Sequence, residues 1–219
     1  MRSALRQRAA EPFRANKHLY YYAHGKILLD PSYPFVTEAL KDSPLPLLDI
    51  GCGMGLLGSL LRAAGHSAPI IGLDADGAKA REGADYLRPL DITLREGDAR
   101  HLPPHSGDVV MLDVLHYFTD EEQTALLSAI ANRLAPGGRA FVRVTIRDDS
   151  WRYRMTLAEE WFVSTSRWIP FKGSNFPRRE TLQGPFLAAG CECRLIPMWG
   201  YTPFNSYMLE ASRPATSAR

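Results

Sequence analysis

The run Leu47-Leu48-Asp49-Ile50-Gly51-Cys52-Gly53-Met54-Gly55 constrains this chain more than any other stretch. A mostly apolar segment breaks into glycines spaced two apart, and a helical pattern begins at once behind them. Glycine takes backbone conformations closed to other residues and lets a ligand touch the main chain. The helix that follows presents unpaired N–H groups at its start. A strand, tight turn and helix in this order are how a parallel sheet receives a nucleotide-like cofactor.

The rest of the chain continues that alternation. Leu56, Leu57, Leu60, Leu61 and Ala64 share one helical face, and Gly65 ends it. Short apolar runs predict strands over 47–50, 70–73, 92–95, 109–112 and 140–146. Helices are expected over 77–87 and behind Thr119, where Thr119 and Glu122 match a capping box. A last helix over 180–189 precedes strands over 191–196 and 207–211. The link between those two strands is too short for a helical crossover, so they are expected to be antiparallel. The predicted fold is α/β and Rossmann-like: a mostly parallel seven-stranded sheet with an antiparallel C-terminal hairpin, and helices on both faces.

Residues 1–45 are expected to form an N-terminal helical extension or cap, with one aromatic helix ending at Gly25 and a second over 33–40. Residues 46–213 form the main domain, and 214–219 a frayed tail. Within the main domain, residues 148–180 break the rhythm and hold three of the four tryptophans. They read as an aromatic insert on the substrate side.

A net charge of +2 on 219 residues leaves no global nucleic-acid footprint. The charge is uneven, however. Residues 139–179 hold nine Arg or Lys against four Asp or Glu, and residues 1–40 hold six against three. Either segment suits an anionic substrate, an acidic carrier protein or plain solvent. Cys52, Cys191 and Cys193 are too few and too unevenly spaced for a disulfide framework or a complete metal site. No apolar run approaches a membrane-spanning length, and the basic N-terminus lacks an apolar signal core. A cytoplasmic protein without stable membrane insertion is expected. The sequence leaves the oligomeric state open.

Three acids frame the glycine turn. Asp49 sits at a strand end, where a buried carboxylate needs a partner that a cationic ligand would supply. Asp74 closes the second strand, where an acid can accept both hydroxyls of a ribose. Asp98 follows the third strand and can accept from a purine amine. Asp76 reads as the cap of the next helix. Together the three acids describe a nucleoside with a positive group and no pyrophosphate, which Asp49 would repel.

On these motifs, the region from Leu47 to Ile146 resembles the class I S-adenosylmethionine-dependent methyltransferases. Asp49-Ile50-Gly51-Cys52-Gly53-Met54-Gly55 is similar to their glycine-rich motif, which borders the methionine part of the cofactor. Gly72-Leu73-Asp74 resembles the ribose-binding motif, with Ala75 beside the adenine. Gly97-Asp98-Ala99 resembles the adenine motif. The run from Asp113 to Phe118 resembles the segment under the sulfonium, and Leu134-Ala135-Pro136-Gly137-Gly138 is also typical of the family. The resemblance implies S-adenosyl-L-methionine as cofactor, held by Asp49, Gly51, Cys52, Gly53, Gly55, Asp74, Ala75, Asp98, Ala99 and Asp113.

The acceptor is a separate question. Methyl transfer needs in-line alignment, and an oxygen of high pKa also needs a base. His116, past the fourth strand, is the candidate base, with a packing or capping role as the competing reading. Tyr117 and Arg147 are candidates for the acceptor pocket. Tyr21, Trp151 and Trp161 are candidates for an aromatic cover that excludes water. In the superfamily that this chain resembles, an Asn-Pro-Pro-Tyr run after the fourth strand marks amino-group acceptors in nucleic acids and proteins. This chain has Asp113-Val114-Leu115-His116 there, so the resemblance points away from those acceptors. The expected function is O-methylation of a small apolar, aromatic or acyl acceptor. Two alternatives compete with it. One is a non-catalytic protein of the same fold that acts through protein contacts. The other is an NAD(P)-dependent oxidoreductase, which leaves Asp49 and the Gly97-Asp98-Ala99 motif unexplained.

Overall fold

Two adjacent leucines show how the sheet is covered. In strand β1 (Leu47–Ile50), Leu47 packs into one hydrophobic layer and Leu48 into the other, because strand side chains alternate. All four residues of β1 are buried, as expected of a central strand covered on both faces. The computed structural model describes residues 3–165, 175–200 and 202–215, with the backbone alone for 160–165.

Three helices precede β1: α1 (Ser3–Ala10), α2 (Lys17–Leu29) and α3 (Ser32–Leu40). Then follow α4 (Leu56–Ala64), β2 (Ile70–Asp74), α5 (Gly77–Leu87), β3 (Ile92–Glu96) and β4 (Asp108–Leu112). The remainder is α6 (Asp120–Ala131), β5 (Arg139–Thr145), α7 (Trp151–Thr165), α8 (Arg179–Ala188), β6 (Glu192–Pro197) and β7 (Ser206–Ser212). The sheet order is β3-β2-β1-β4-β5-β7-β6. Strands β1 to β5 pair in parallel, and β7 pairs antiparallel with both β5 and β6. β7 therefore runs against the other six. The order reverses between β1 and β4, and open α/β sheets bind ligands beyond the carboxyl ends of strands at such a switch point.

The local signals account for the elements. Gly65 ends α4 in the left-handed conformation, and its N–H caps Leu61 and Arg62 carbonyls. Asp76 caps α5 by accepting from the Ala78 and Lys79 N–H groups. Thr119 and Glu122 form the reciprocal capping box of α6. One layer joins α6 and α8 to Val109, Met111 and Val142. The other joins the N-terminal helices to Val110 and Phe141 through Phe13, Ile27, Val36 and Leu40. Residues 1–45 thus supply part of the sheet's own cover.

Gly25 does not end its helix. Asn16 starts α2 by accepting from the His18 and Leu19 N–H groups, and buried Ala23 and Ile27 hold the helix to the core. The helix runs through Gly25 to Leu29. In the aromatic insert, Trp168 and Phe171 lie outside the described residues, as does the side chain of Trp161. Of the expected tail, 216–219 also lie outside them. No described helix is long and apolar enough to cross a membrane.

Candidate active site

The glycine turn is shaped by what lies against it. Gly51, Gly53 and Gly55 all have positive φ, at 75°, 55° and 77°. A Cβ on Gly51 would come within 2.1 Å of Val114 Cγ2, so the turn after β1 packs directly on the loop after β4. Gly55 enters α4 from the left-handed region. At Asp113, just after β4, a non-glycine residue also holds a positive φ of 57°. Such a conformation is costly and persists only where its surroundings enforce it. Here the Asp113 N–H donates to the Arg143 carbonyl, and its carboxylate accepts from the Arg143 side chain.

Asp49 is 5% exposed, and its carboxylate makes no hydrogen bond or ion pair among the described residues. Burial, with Asp74 nearby, pushes its pKa up to about 7. Asp74 is better supplied. Its Oδ2 accepts from the Gly53 N–H at 2.7 Å and its Oδ1 from the Asp76 N–H at 2.9 Å. Burial also pushes the Cys52 thiol up, which keeps it neutral beside these acids.

A cavity of about 440 Å³ opens over the turn. Asp49, Gly51, Cys52 and Gly53 line its floor, and Leu19, Tyr22 and Lys26 of α2 contribute the opposite wall. A second cavity of about 630 Å³ adjoins it, bounded by His116, Arg143, Glu159, Phe176, Trp199 and Phe204 among others. Tyr22, Lys26, Asp30 and Asp113 line both.

That shared wall is an ion cluster. Arg143 Nη1 donates to Asp30 Oδ2 and to Asp113 Oδ2, each at 2.8 Å. Lys26 Nζ lies 2.8 Å from Asp30 Oδ2, and Arg143 Nε donates to Ser206 Oγ at 3.0 Å. Burial opposes ionisation of Asp30, but Arg143 and Lys26 outweigh it and hold its carboxyl below the usual range. At Asp113 burial dominates and raises the pKa, with Arg143 and Lys26 only partly offsetting it. Asp113 still keeps 44% of its side chain accessible, consistent with its place on both cavities.

The loop carrying His116 is pinned from two sides. Buried Gln123 on α6 donates to the Leu115, Phe118 and Asn175 carbonyls. The Asn175 N–H donates to the His116 carbonyl at 2.9 Å. The His116 ring lies 4.2 Å from Tyr117 and 5.9 Å from Phe176, centroid to centroid.

Several expected site residues sit elsewhere. Tyr21 is 69% exposed and lines neither cavity; its neighbour Tyr22 faces both, because consecutive helical residues point about 100° apart. Trp151 is 60% exposed, with Arg152 over its ring, and also lines neither. Arg147 and Tyr117 line a neighbouring cleft, where the Arg147 guanidinium donates to Asn175 Oδ1. Asp98 is clasped by Arg100, whose Nε and Nη2 hold both carboxylate oxygens and lower its pKa to about 2. Asp74, Ala75, Asp98, Ala99 and Gly55 do not line the 440 Å³ cavity. Lys26, Asp30 and Arg143 line the second cavity, although the sequence pattern does not single them out. The one sequence signal for Arg143 is a cation inside an apolar strand.

A doubly covered sheet whose order reverses beside a glycine turn defines a Rossmann-like protein, and its unpartnered buried acid faces a cavity that can take a cation. The comparisons with known proteins agree. The family model described as "Methyltransferase domain" matches residues 47–138. Ubiquinone biosynthesis O-methyltransferase of Brucella ovis is 30% identical over 213 residues, covering 87% of this chain and 80% of that protein. Cypemycin N-terminal methyltransferase of a Streptomyces species is 35% identical over 129 residues, 54% of this chain; that match spans half of the relative's length. The magnesium protoporphyrin IX methyltransferase of Synechocystis PCC 6803, solved with bound SAH, superposes with a TM-score of 0.64 at 19% identity, covering 93% of each chain. The chain belongs to the class I S-adenosylmethionine-dependent methyltransferase family, and its cofactor is S-adenosyl-L-methionine. The residues present fit that cofactor: Asp49 is a buried acid in want of a cation, at the floor of a cavity that opens onto backbone.

Proposed function

We propose that this methyltransferase alkylates an oxygen of a small apolar or aromatic acceptor bound in the 630 Å³ cavity. The observation that carries the reading is the shared wall. One cavity holds the unpartnered Asp49, the adjoining one holds His116, and Asp113 faces both. When bound, the cofactor supplies an electrophilic methyl group; an acceptor lone pair forms the new bond, and sulfur keeps the electron pair of the bond that breaks.

In this reading Asp49 holds the ammonium of the methionine part, bordered by Gly51, Cys52, Gly53 and Gly55. Asp74 accepts from the ribose with the lone pairs left over from the Gly53 and Asp76 N–H groups. Ala75 and Ala99 flank the adenine. Asp98 reaches the adenine amine only by sharing its carboxylate with Arg100. Asp113 lines the path of transfer, and His116 takes the acceptor proton. Helix α2 caps the cofactor from the N-terminal side, and Thr156, Glu159 and Phe176 of the insert line the acceptor cavity. Phe176, Trp199 and Phe204 give the acceptor cavity its aromatic character. The relatives extend the reading in two directions, since one is named an O-methyltransferase and the other an N-terminal methyltransferase. The donors facing the second cavity, Lys26 and Arg143, favour oxygen.

The test is calorimetry with S-adenosylhomocysteine, followed by methyl-transfer assays on phenols, carboxylic acids and peptide amines. The expected result is cofactor binding and transfer to an oxygen acceptor. Transfer to amines alone would remove the oxygen assignment. Running each oxygen acceptor free and as a thioester on an acidic carrier protein tests the carrier reading of the basic 139–179 segment.

A further inference from the structure

Arg143 is a strand residue in the middle of an apolar run, yet it faces the second cavity and its guanidinium bonds Asp30 and Asp113, which line both. Its nitrogens are unequally used. Nε donates to Ser206 Oγ, and Nη1 donates to both Asp30 and Asp113. Nη2 has no partner and is not sealed from the cavity space. A guanidinium is donor-only, so Nη2 presents N–H groups that an oxygen can satisfy and an ammonium cannot. The charges nearest it pair off: Lys26 and Arg143 against Asp30 and Asp113. His116 and Glu159 also face the same cavity, from the loop after β4 and from α7.

We infer that Arg143 is a catalytic residue whose Nη2 holds the reacting oxygen of a phenol, and that the acceptor is methylated as its phenolate. This rests on the oxygen-acceptor reading above. Three observations carry it. The open edge of Arg143 sits beside Asp113, which lines both cavities and so marks where the acceptor meets the methyl donor. The guanidinium is fixed on three sides, so its free N–H groups are preorganised and cost no reorientation during reaction. The aromatic walls of Phe176, Trp199 and Phe204 suit a flat ring behind that oxygen. An ordinary phenol has a pKa of about 10 and is almost wholly protonated at neutral pH. Arg143 lowers that barrier by stabilising the anion left when the proton passes to His116. The phenolate then gives its lone pair to the methyl carbon, and the product is an aryl methyl ether.

The probe is 4-nitrophenol, whose ionisation is read by absorbance without any turnover. It is titrated on the intact protein with S-adenosylhomocysteine present. The bound probe is expected to ionise about one pH unit below the free probe. Arg143→Lys keeps a cation for Asp30 and Asp113 but removes the open Nη2 edge, and the shift should vanish with S-adenosylhomocysteine affinity unchanged. Ser206→Ala frees Nε while leaving the charges in place, so it tests the same point if Arg143→Lys fails to fold; it should shrink the shift by about half. In turnover with unsubstituted phenol, Arg143→Lys should lose about 10²-fold in kcat and recover as pH rises. An unshifted or raised probe pKa in the wild-type protein overturns the inference. So does a shift that both variants retain. Wild-type transfer to amines but to no phenol would bring down the oxygen-acceptor reading itself, whereas phenol transfer indifferent to Arg143 would bring down this inference alone.

Discussion

The floor of the first cavity and the wall it shares with the second treat charge in opposite ways. On the cofactor side, Asp49 is buried with no cation beside it, and its pKa rises to about 7. In the wall the two cavities share, Asp30 is also buried but clasped by Arg143 and Lys26, and its carboxyl is held below its ordinary range. A carboxylate left without a partner is a liability to the empty protein, and a ligand cation removes it. A balanced cluster places no such demand on a ligand's charge. It offers fixed hydrogen-bond donors to a neutral acceptor. On the proposed reading, the cofactor is selected by charge at Asp49, and the acceptor by shape and by the placement of its reacting atom.

Breaking the ion cluster of the shared wall should have the largest effect. Arg143→Met leaves Asp30 buried without its main partner and should cost about 3–5 kcal/mol in urea unfolding. The matching change on the cofactor side should do the reverse. Asp49→Asn removes an uncompensated acid and should stabilise the unliganded protein by about 1–3 kcal/mol at pH 8. Because the folded pKa of Asp49 is raised, the folded chain binds more protons than the unfolded one between about pH 4 and 7. Wild-type stability should then fall as pH rises through that window and level off above it, and the variant should lack that slope. The same variant should bind S-adenosylhomocysteine about 10- to 100-fold more weakly. If it loses stability and keeps its affinity, the contrast between the floor and the shared wall fails.

Smaller effects sharpen the geometry. Gly51→Ala forces a Cβ into Val114 at a positive φ and should cost about 1–3 kcal/mol, with cofactor affinity falling alongside. Thr119→Ala removes the α6 capping box, away from both cavities, and should cost about 1 kcal/mol by thermal unfolding. Its S-adenosylhomocysteine affinity should not move.

The cofactor side was legible in the sequence because its determinants are local. The glycine turn, its strand and its helix fall within 47–64, and the strand-end acids follow at regular intervals. The cap of α5 at Asp76 and the capping box of α6 were readable for the same reason. The acceptor side was not. Arg143 meets partners 113 and 30 residues away, and no periodicity announces such a pairing. Of the tyrosines at 20, 21 and 22, the pattern could not say which borders the cavities; Tyr20 packs on the core, and the largely exposed Tyr22 rather than Tyr21 lines the cavities. Asp98 looked available until Arg100, two residues on, proved able to reach back and hold it. Gly25 read as a helix stop although its neighbours Ala23 and Ile27 anchor the helix on either side.

The most direct test of the central claim is proton exchange when S-adenosylhomocysteine binds, measured calorimetrically at pH 7 in two buffers of different ionisation enthalpy. With the Asp49 pKa near 7 before binding and an ammonium beside it afterwards, binding should release about half a proton. Asp49→Asn should abolish that release. Tight binding with no proton exchange, or with proton uptake, would contradict the account.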